Sequence, residues 1–171
     1  NHIPNKTCIF TTKSDRNLDI LIHIWKRIYK LNNDAHLMIN PPYIISEDIA
    51  DKNVKLRIKG NKKDLIRDLK TSKIMLVPGH KGEVFCLAAD EARELCIPIV
   101  TLGYGSLYER VEHNKTGFIA KNIDEFINYT NRLLNDDVLY LKFRKNLFQL
   151  RNSRNYSHVA SDLLKIINSI S

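Results

Sequence analysis

Residues 74–100 read IMLVPGHKGEVFCLAADEARELCIPIV, and the prediction of the fold starts from this stretch. The apolar run at residues 74–77 predicts a buried strand, and the loop that follows it is rich in proline and glycine. A helical pattern comes next, at residues 85–95, and a second apolar strand is predicted at residues 97–101. A strand, a helix and another strand in this order form the unit from which parallel sheets are built.

Two glutamates, Glu83 and Glu91, bracket the start of the predicted helix. If the segment were helical throughout, their side chains would lie about 80° apart on one side of the helix. In open α/β sheets, ligands bind at the carboxyl edge, where Glu91 could accept hydrogen bonds from a vicinal diol such as a ribose. Glu83 would then face the part of the ligand beyond a phosphate. Spacing alone favours a plainer interpretation, in which the helix macrodipole and a solvated helix face account for both acids.

The rest of the chain continues the alternation of strand-like and helix-like patterns. Further strands are predicted at residues 7–12, 35–39, 54–58 and 117–120. Helices are predicted at residues 18–31, 62–72, 124–135, 138–150 and 158–170, with a short helix start within 103–111 and an ambiguous pattern at 43–52. This order predicts the α/β class: a three-layer, Rossmann-like parallel sheet with helices on both faces and right-handed crossovers. No interior linker is recognisable, so residues 1–171 are predicted to form a single domain.

Composition places the chain among globular domains. Of 171 residues, 43% are hydrophobic and 27% charged, and no apolar run approaches the roughly 20 residues that a membrane helix needs. The formal net charge of +8 suggests a polyanionic partner, but the basic residues are spread along the chain rather than clustered. The three cysteines have no metal-ligand spacing and favour a reducing cytosol. Asn1 in place of an initiating Met suggests a piece of something longer.

The loops predicted at the carboxyl edge contain groups suited to anions. Lys13 and Arg16 follow the first strand and could balance the charge of a diphosphate. The helix predicted at residues 85–95 would offer free amide groups and a positive dipole end. The chain contains no Walker motif, no G-x-G-x-x-G after the first strand and no nucleophile elbow, which disfavours P-loop, dinucleotide-binding and hydrolase functions.

Residues 78–120 carry an ordered set of motifs, PGHKGEVFCLAADEARELCIPIVTLGYGSLYERVEHNKTGFIA. The set comprises E-x-F followed by E-A, then P-I-V-T, a glycine-rich turn with E-R-V, and T-G-F. Upstream, residues 15–25 read DRNLDILIHIW, in which a basic residue, Arg16, stands just before the start of a predicted helix. Together these motifs resemble the C-terminal domain of retaining GT-B glycosyltransferases, the large group 1 family four, over residues 7–135. The ordered set outweighs the plainer interpretation of the two glutamates.

The resemblance implies a division of roles. In such enzymes this domain binds the nucleotide-sugar donor, UDP- or GDP-linked, and an N-terminal domain absent from this chain binds the acceptor. The resemblance makes Glu83 the catalytic glutamate that contacts the donor sugar and Glu91 the one that holds the ribose. Arg16 occupies the position of the family's diphosphate-binding Lys, and Lys13 replaces its Arg. The remaining expected donor contacts are the backbone amides of Phe85, Cys86 and Leu87, and a loop near the base formed by Lys59, Gly60 and Asn61.

Several further expectations follow from the resemblance. Such enzymes generally need neither a metal nor another cofactor, because basic side chains and the helix end neutralise the departing diphosphate. Val84 and Cys86 stand where the family usually has glycines, and a side chain at either position would leave less room for the donor to approach the backbone. Asn17, in the first loop, also stands where the family usually has Gly. The expected location is the cytoplasm, including the cytoplasmic face of an anionic membrane, to which the basic surface would be suited.

Two other functions are alternatives to sugar transfer. The first is a non-catalytic nucleotide- or carbohydrate-binding module with a degenerate domain, as the lost glycines would suggest. The second is nucleic-acid binding through the +8 charge, which is disfavoured because no basic patch is interleaved with aromatic residues.

Overall fold

The computed structural model describes residues 2–40, 53–58, 60–151 and 156–170. Within them lie six strands and seven helices. The strands are β1 (Thr7–Phe10), β2 (His36–Ile39), β3 (Val54–Leu56), β4 (Ile74–Val77), β5 (Ile99–Thr101) and β6 (Gly117–Ile119). The helices are α1 (Leu18–Leu31), α2 (Lys62–Lys70), α3 (Leu87–Glu94), α4 (Leu107–Arg110), α5 (Ile123–Asn135), α6 (Asp137–Arg151) and α7 (Tyr156–Ile170). The ambiguous pattern at residues 43–52 lies outside the described residues.

The strands form one parallel sheet in the order β3-β2-β1-β4-β5-β6. This is the order of the Rossmann fold, in which the direction of the connections reverses between β1 and β4. The loops that follow these two strands therefore diverge and leave a crevice at the carboxyl edge. The α/β class and the parallel sheet predicted from the sequence are confirmed.

Helices cover both faces of the sheet because the central strands bury side chains on both sides. Along β4, Ile74 and Leu76 belong to one core cluster, whereas Met75 and Val77 belong to the other. Successive side chains of a strand point to opposite faces, so each face needs its own apolar layer. The first layer comes from α1, α5 and α6 and the second from α2, α3 and α4. The predicted three-layer arrangement is thus confirmed.

The element ends differ from the prediction most clearly around α3. The helix was predicted at residues 85–95, but it begins at Leu87, and residues 83–86 approach it in non-helical conformations. After α3, Cys96 has a left-handed backbone with a φ of 56°. This residue turns the chain out of the helix, so β5 begins at Ile99, two residues later than predicted.

Helix α7 differs from the other long helices in its packing. All its described side chains are exposed, among them several large apolar ones: Leu163, Leu164, Ile166, Ile167 and Ile170. The sequence pattern predicts this helix correctly, but within the described residues it buries none of its apolar face. No helix in the described part of the chain is long and apolar enough to cross a membrane.

Candidate functional site

Three loops meet at the carboxyl edge, between the ends of β1, β4 and β5. The Asn17 side-chain amide donates to the Gly79 carbonyl oxygen at 2.5 Å, which joins the first loop to the second. The Leu102 backbone amide donates to the Pro78 carbonyl oxygen at 3.2 Å, which joins the second to the third. These contacts hold the loops as one unit beside the crevice.

Asn17 explains one departure from the family pattern. Its backbone is left-handed, with a φ of 63°, immediately before α1 begins at Leu18. Glycine adopts this conformation without cost, and asparagine is among the few other residues that visit it routinely. Asn17 therefore preserves the turn that a glycine would make, and it adds the hydrogen bond to Gly79.

The Glu83 side chain lies at the centre of these loops. Its backbone amide donates to the His80 carbonyl oxygen at 3.0 Å, and its own carbonyl oxygen accepts from the Ser106 amide at 2.9 Å. Its carboxylate Oε2 lies 3.8 Å from the Arg16 Nε, and the side chain is only 10% exposed. Backbone hydrogen bonds on both sides thus place this carboxylate, and the structure brings the predicted pair Glu83 and Arg16 together.

Gly105 holds the third loop close to Glu83. Its φ is 59°, and a Cβ added there would lie 2.4 Å from the Glu83 carbonyl oxygen. A side chain at this position would be strained and would push on the backbone that carries the Glu83 carboxylate. The glycine-rich turn of the sequence therefore has a specific role, which is to let the loop after β5 approach Glu83.

We expect Gly105→Ala to lower the free energy of unfolding by roughly 1–3 kcal/mol, the usual cost of a forced left-handed residue. Urea denaturation measures this change. Gly82→Ala is the matched control, since the nearest atoms to a Cβ there belong to two side chains and not to the backbone: the His80 ring at 3.3 Å and the Arg16 guanidinium at 3.9 Å. That substitution should change stability by about 0.5 kcal/mol. Equal stabilities for Gly105→Ala and the wild type would contradict the close approach.

His80 is a site residue that the sequence disfavoured as a ligand, because it has no partner at metal-ligand spacing. Its Nδ1 accepts from the Gly82 amide at 3.0 Å and lies 3.4 Å from the Arg16 Nη1. Since an amide and a guanidinium can only donate, Nδ1 must be the unprotonated nitrogen of the ring. Arg16 also donates to the Gly82 carbonyl oxygen at 3.4 Å. His80 and Gly82 therefore orient Arg16, and only the tertiary contact reveals this.

The start of α3 borders the same crevice. Phe85 and Leu87 are largely exposed, whereas the Cys86 side chain is 2% exposed and packs in the core. Burial raises the pKa of the Cys86 thiol, an effect that the neighbouring amides of Ala89 and Ala88 partly oppose. Cys86 therefore does not narrow the crevice as its replacement of glycine suggested. Val84, at 88% exposed, remains the side chain that could do so.

Glu91 lies in α3, in the second turn after its start at Leu87. Among the described residues, no polar partner contacts its carboxylate, although its neighbour Asp90 pairs with Arg93 at 3.2 Å and with Arg110 at 3.6 Å. The assumption that residues 83–91 form one helix is wrong, because residues 83–86 precede α3. The angle of about 80° calculated for Glu83 and Glu91 therefore does not apply.

Arg110 links the start of α3 to α4. Its guanidinium lies 4.1 Å from the centre of the Phe85 ring, and its Nε is buried without a hydrogen-bond partner in the described part of the chain. Sequence reasoning missed this residue, although it lies within the E-R-V motif. Its contact with Phe85 positions the loop that carries Glu83.

Buried hydroxyl groups add hydrogen-bonding capacity at this edge. The side-chain oxygens of Thr11, Thr12 and Ser106 are buried and have no hydrogen-bond partner among the described residues. Buried hydroxyls are usually satisfied, so oxygens of this kind are suited to contact a polar ligand.

Within the described part of the chain, the side chains of the other predicted binding residues, Lys13 and Asn61, make no contact with this cluster. The Lys13 side chain is exposed, and its carbonyl oxygen accepts from the Arg16 amide at 3.0 Å. Asn61 forms a capping box with Asp64 at the start of α2, which occupies its side-chain oxygen, and Gly60 is exposed beside it. Lys59 lies outside the described residues. No group of three His, Cys, Asp or Glu side chains suited to a metal ion occurs in the described ranges.

The parallel sheet, its crevice and the ordered acidic and basic groups define one half of a GT-B glycosyltransferase fold. Residues 9–149 match the family described as Glycosyl transferases group 1, and the chain belongs to that family. No curated protein sequence matches the chain.

Solved structures show the same fold at low sequence identity. TarM from S. aureus, in complex with Fondaparinux, alpha-GlcNAc-glycerol and UDP, is 22% identical, with a TM-score of 0.79 over 98% of this chain and 36% of its own. Anabaena Alr3699/HepE, in complex with UDP-glucose, is 17% identical, with a TM-score of 0.77 over 96% and 49%. The C-terminal domain of LpcC from Francisella tularensis is 18% identical, with a TM-score of 0.70 over 89% and 87%. The chain therefore spans about a third of TarM and half of HepE.

Proposed function

We propose that the chain is the donor-binding half of an enzyme that transfers a sugar from a nucleotide-diphosphate sugar to a glycan, lipid or other acceptor with retention of configuration. The observation that carries the proposal is the Glu83 carboxylate, held by backbone hydrogen bonds and facing Arg16 at the switch point between β1 and β4. The HepE structure contains UDP-glucose, which supports a donor of this class, UDP- or GDP-linked.

The charges in the crevice suit a diphosphate and the sugar attached to it. Arg16 balances Glu83 before a donor is present, and a bound diphosphate would compete for the same guanidinium. The start of α3 adds amide donors and a positive dipole end that stabilise the charge of the leaving diphosphate. Lys13 would add a second cation. This neutralisation uses side chains and backbone of the chain itself, and the proposal includes neither a metal nor another cofactor.

Glu83 and Glu91 differ in what they contact, and the proposal gives them different roles. Glu83 is nearly buried beside Arg16 and would contact the donor sugar as the catalytic glutamate. Glu91 has no polar partner in the described part of the chain, so both its oxygens are available for the two hydroxyls of a ribose. The base would lie toward residues 59–61, as in the family. The buried hydroxyls at this edge would contact the ligand's polar groups.

The proposal assigns the acceptor side of the reaction to a second domain. TarM, of which the chain spans 36%, is large enough to contain a second domain of similar size. We propose that an N-terminal domain supplies the acceptor site and that the isolated chain binds the donor without transferring sugar. The proposed location is the cytoplasm, including the cytoplasmic face of a membrane, and nucleic acid is not a proposed partner.

Isothermal titration calorimetry of the chain with UDP, GDP and their sugars tests the donor site. We expect saturable binding of one of the two diphosphates, and the chemical shifts of loop amides next to Glu83 should move with it. A correctly folded chain that binds neither nucleotide would refute the proposal. Transfer by a polypeptide that includes the N-terminal domain, with the product anomer assigned by NMR, tests retention separately.

A non-catalytic binding module is the second candidate. The exposed Val84 side chain at the entrance to the crevice is the observation that favours it. Val84→Gly distinguishes the two, because a family-like glycine should raise nucleotide-sugar affinity if the site has kept its donor function. An unchanged affinity for the sugar nucleotide, together with absence of transfer by the longer polypeptide, would favour the module.

A further inference from the structure

A second cavity lies at the opposite edge of the sheet from the Glu83 site. It has a volume of about 750 Å³ and is formed by the segment before β1, the end of α2, the turn after α3 and one face of α6. The segment before β1, the end of α2 and the turn after α3 lead into the starts of β1, β4 and β5. The starts of parallel strands lie together, so the cavity lies at the amino edge of the sheet. The cavity is therefore separate from the donor site and has no role in the proposed transfer.

The walls of this cavity are strongly basic. Its lining includes four cationic side chains and one histidine, and it includes no acidic residue: Lys70, Arg144, Lys145, Arg151 and His2. Only Arg151 has an acidic partner among the described residues, Glu94 at 3.5 Å, and both of these side chains are about half exposed. Lys70 and Lys145 form no ion pair in the described part of the chain. The cavity thus has an uncompensated positive charge.

Arg144 is held in place by neutral groups. Its Nη1 donates to the His2 carbonyl oxygen at 3.4 Å and lies 3.5 Å from the Tyr140 hydroxyl, and its guanidinium lies 5.7 Å from the centre of the Tyr140 ring. None of these partners cancels its charge, so the positive charge remains available to a ligand. The guanidinium is oriented before any ligand binds, which reduces the entropy lost on binding.

Two guanidinium groups, those of Arg144 and Arg151, line the cavity together with the buried Cys96 side chain. Burial, the larger effect, raises the pKa of the Cys96 thiol, while the positive charges of Arg144 and Arg151 act to lower it. Two guanidinium groups in the lining of one cavity suit a phosphate, which can accept several charge-assisted hydrogen bonds at once.

The remaining lining is apolar. Leu95, Leu141 and the half-exposed Phe148 lie beside the cations, together with Pro4. An ionic ligand without an apolar portion would leave this surface in contact with water. We propose that the cavity at the amino edge binds a phosphate-bearing ligand whose adjoining portion is apolar.

NMR titration with inorganic pyrophosphate tests the phosphate contact directly. In ¹⁵N spectra recorded with a saturating concentration of UDP or GDP, whichever the donor site binds, we expect saturable shifts of the Cys96 and Leu141 amides. The double substitution Lys70→Gln and Lys145→Gln removes two exposed cations without breaking an ion pair, and it should weaken this binding about tenfold. The control carries the same charge loss outside the cavity lining, Lys30→Gln and Lys142→Gln, and should bind as the wild type does. Melting curves confirm that both variants are folded.

Vesicles distinguish the two sources of such a phosphate. If the ligand is a lipid headgroup, the chain should sediment with phosphatidylglycerol vesicles, and only the cavity variant should lose this binding. If the ligand is a soluble phosphate compound, pyrophosphate should move the cavity amides while the vesicles bind all proteins equally or not at all. The proposal is overturned if pyrophosphate does not shift the cavity amides and the vesicles do not sediment the chain, or if binding by the cavity and control variants weakens equally. The cavity amides report on this site separately from the donor site, so a chain that binds neither UDP nor GDP refutes the proposed function and leaves this test intact.

Discussion

Replacing Glu91 by alanine should weaken the binding of the nucleoside diphosphate by roughly 100-fold. A hydrogen bond to a charged group contributes about 1.5–3 kcal/mol, and the proposed ribose contact has two of them. A loss of about 3 kcal/mol corresponds to a factor of about 100 in the dissociation constant. Isothermal titration calorimetry with UDP and GDP measures this factor.

The control for this prediction lies on the same helix. Glu94 is exposed at the other end of α3 and pairs with Arg151, away from the crevice. Glu94→Ala should leave nucleotide affinity unchanged. Glu91→Gln keeps one oxygen acceptor and should fall between the wild type and Glu91→Ala. If Glu91→Ala and Glu94→Ala bind UDP equally well, Glu91 does not hold the ribose.

Replacing Trp25 by alanine should lower the free energy of unfolding by about 3–5 kcal/mol, the usual cost of deleting a large buried aromatic side chain. Trp25 is fully buried on α1 and belongs to the larger core cluster, in which α1 packs with α5 against the sheet. The cost arises because the surrounding helices and strands cannot close over so large a cavity. Urea denaturation followed by circular dichroism measures the change.

Leu31 offers a matched control on the same helix. It is the last residue of α1 and is 61% exposed. Leu31→Ala should change stability by about 0.5 kcal/mol or less. A similar loss of stability in both variants would mean that the buried face of α1 differs from the one described.

The helices and strands of this fold could be predicted because buried apolar residues recur at regular short intervals along the chain. Helix α1 and strand β4 have the predicted bounds, since their apolar residues recur with the period of a helix or fill a continuous buried run. The strand ends were less predictable, because hydrogen bonding to neighbouring strands determines where a strand stops. Residues 11–12 continue the β-branched pattern of β1, yet they lie beyond the ladder.

The candidate site was predictable in its residues and less so in its geometry. Glu83, Glu91 and Arg16 stand out through the ordered motifs, and the structure brings Glu83 and Arg16 within 3.8 Å. The separation of Glu83 from α3 was not predictable from helical spacing. The burial of the Cys86 side chain was not predictable either, because the direction of one side chain depends on the turn before the helix.

The sequence by itself determined the alternation of strands and helices, the apolar layers on both faces of the sheet, and the acids and bases at its carboxyl edge. These properties depend on neighbouring residues and on repeats of two or 3.6 positions. Only the tertiary structure decided that His80 orients Arg16, that Gly105 lets the loop after β5 approach Glu83, and that basic residues distant in the sequence line one cavity at the amino edge. Those contacts join segments far apart in the chain, and the order of the strands, which no local pattern encodes, determines which segments meet.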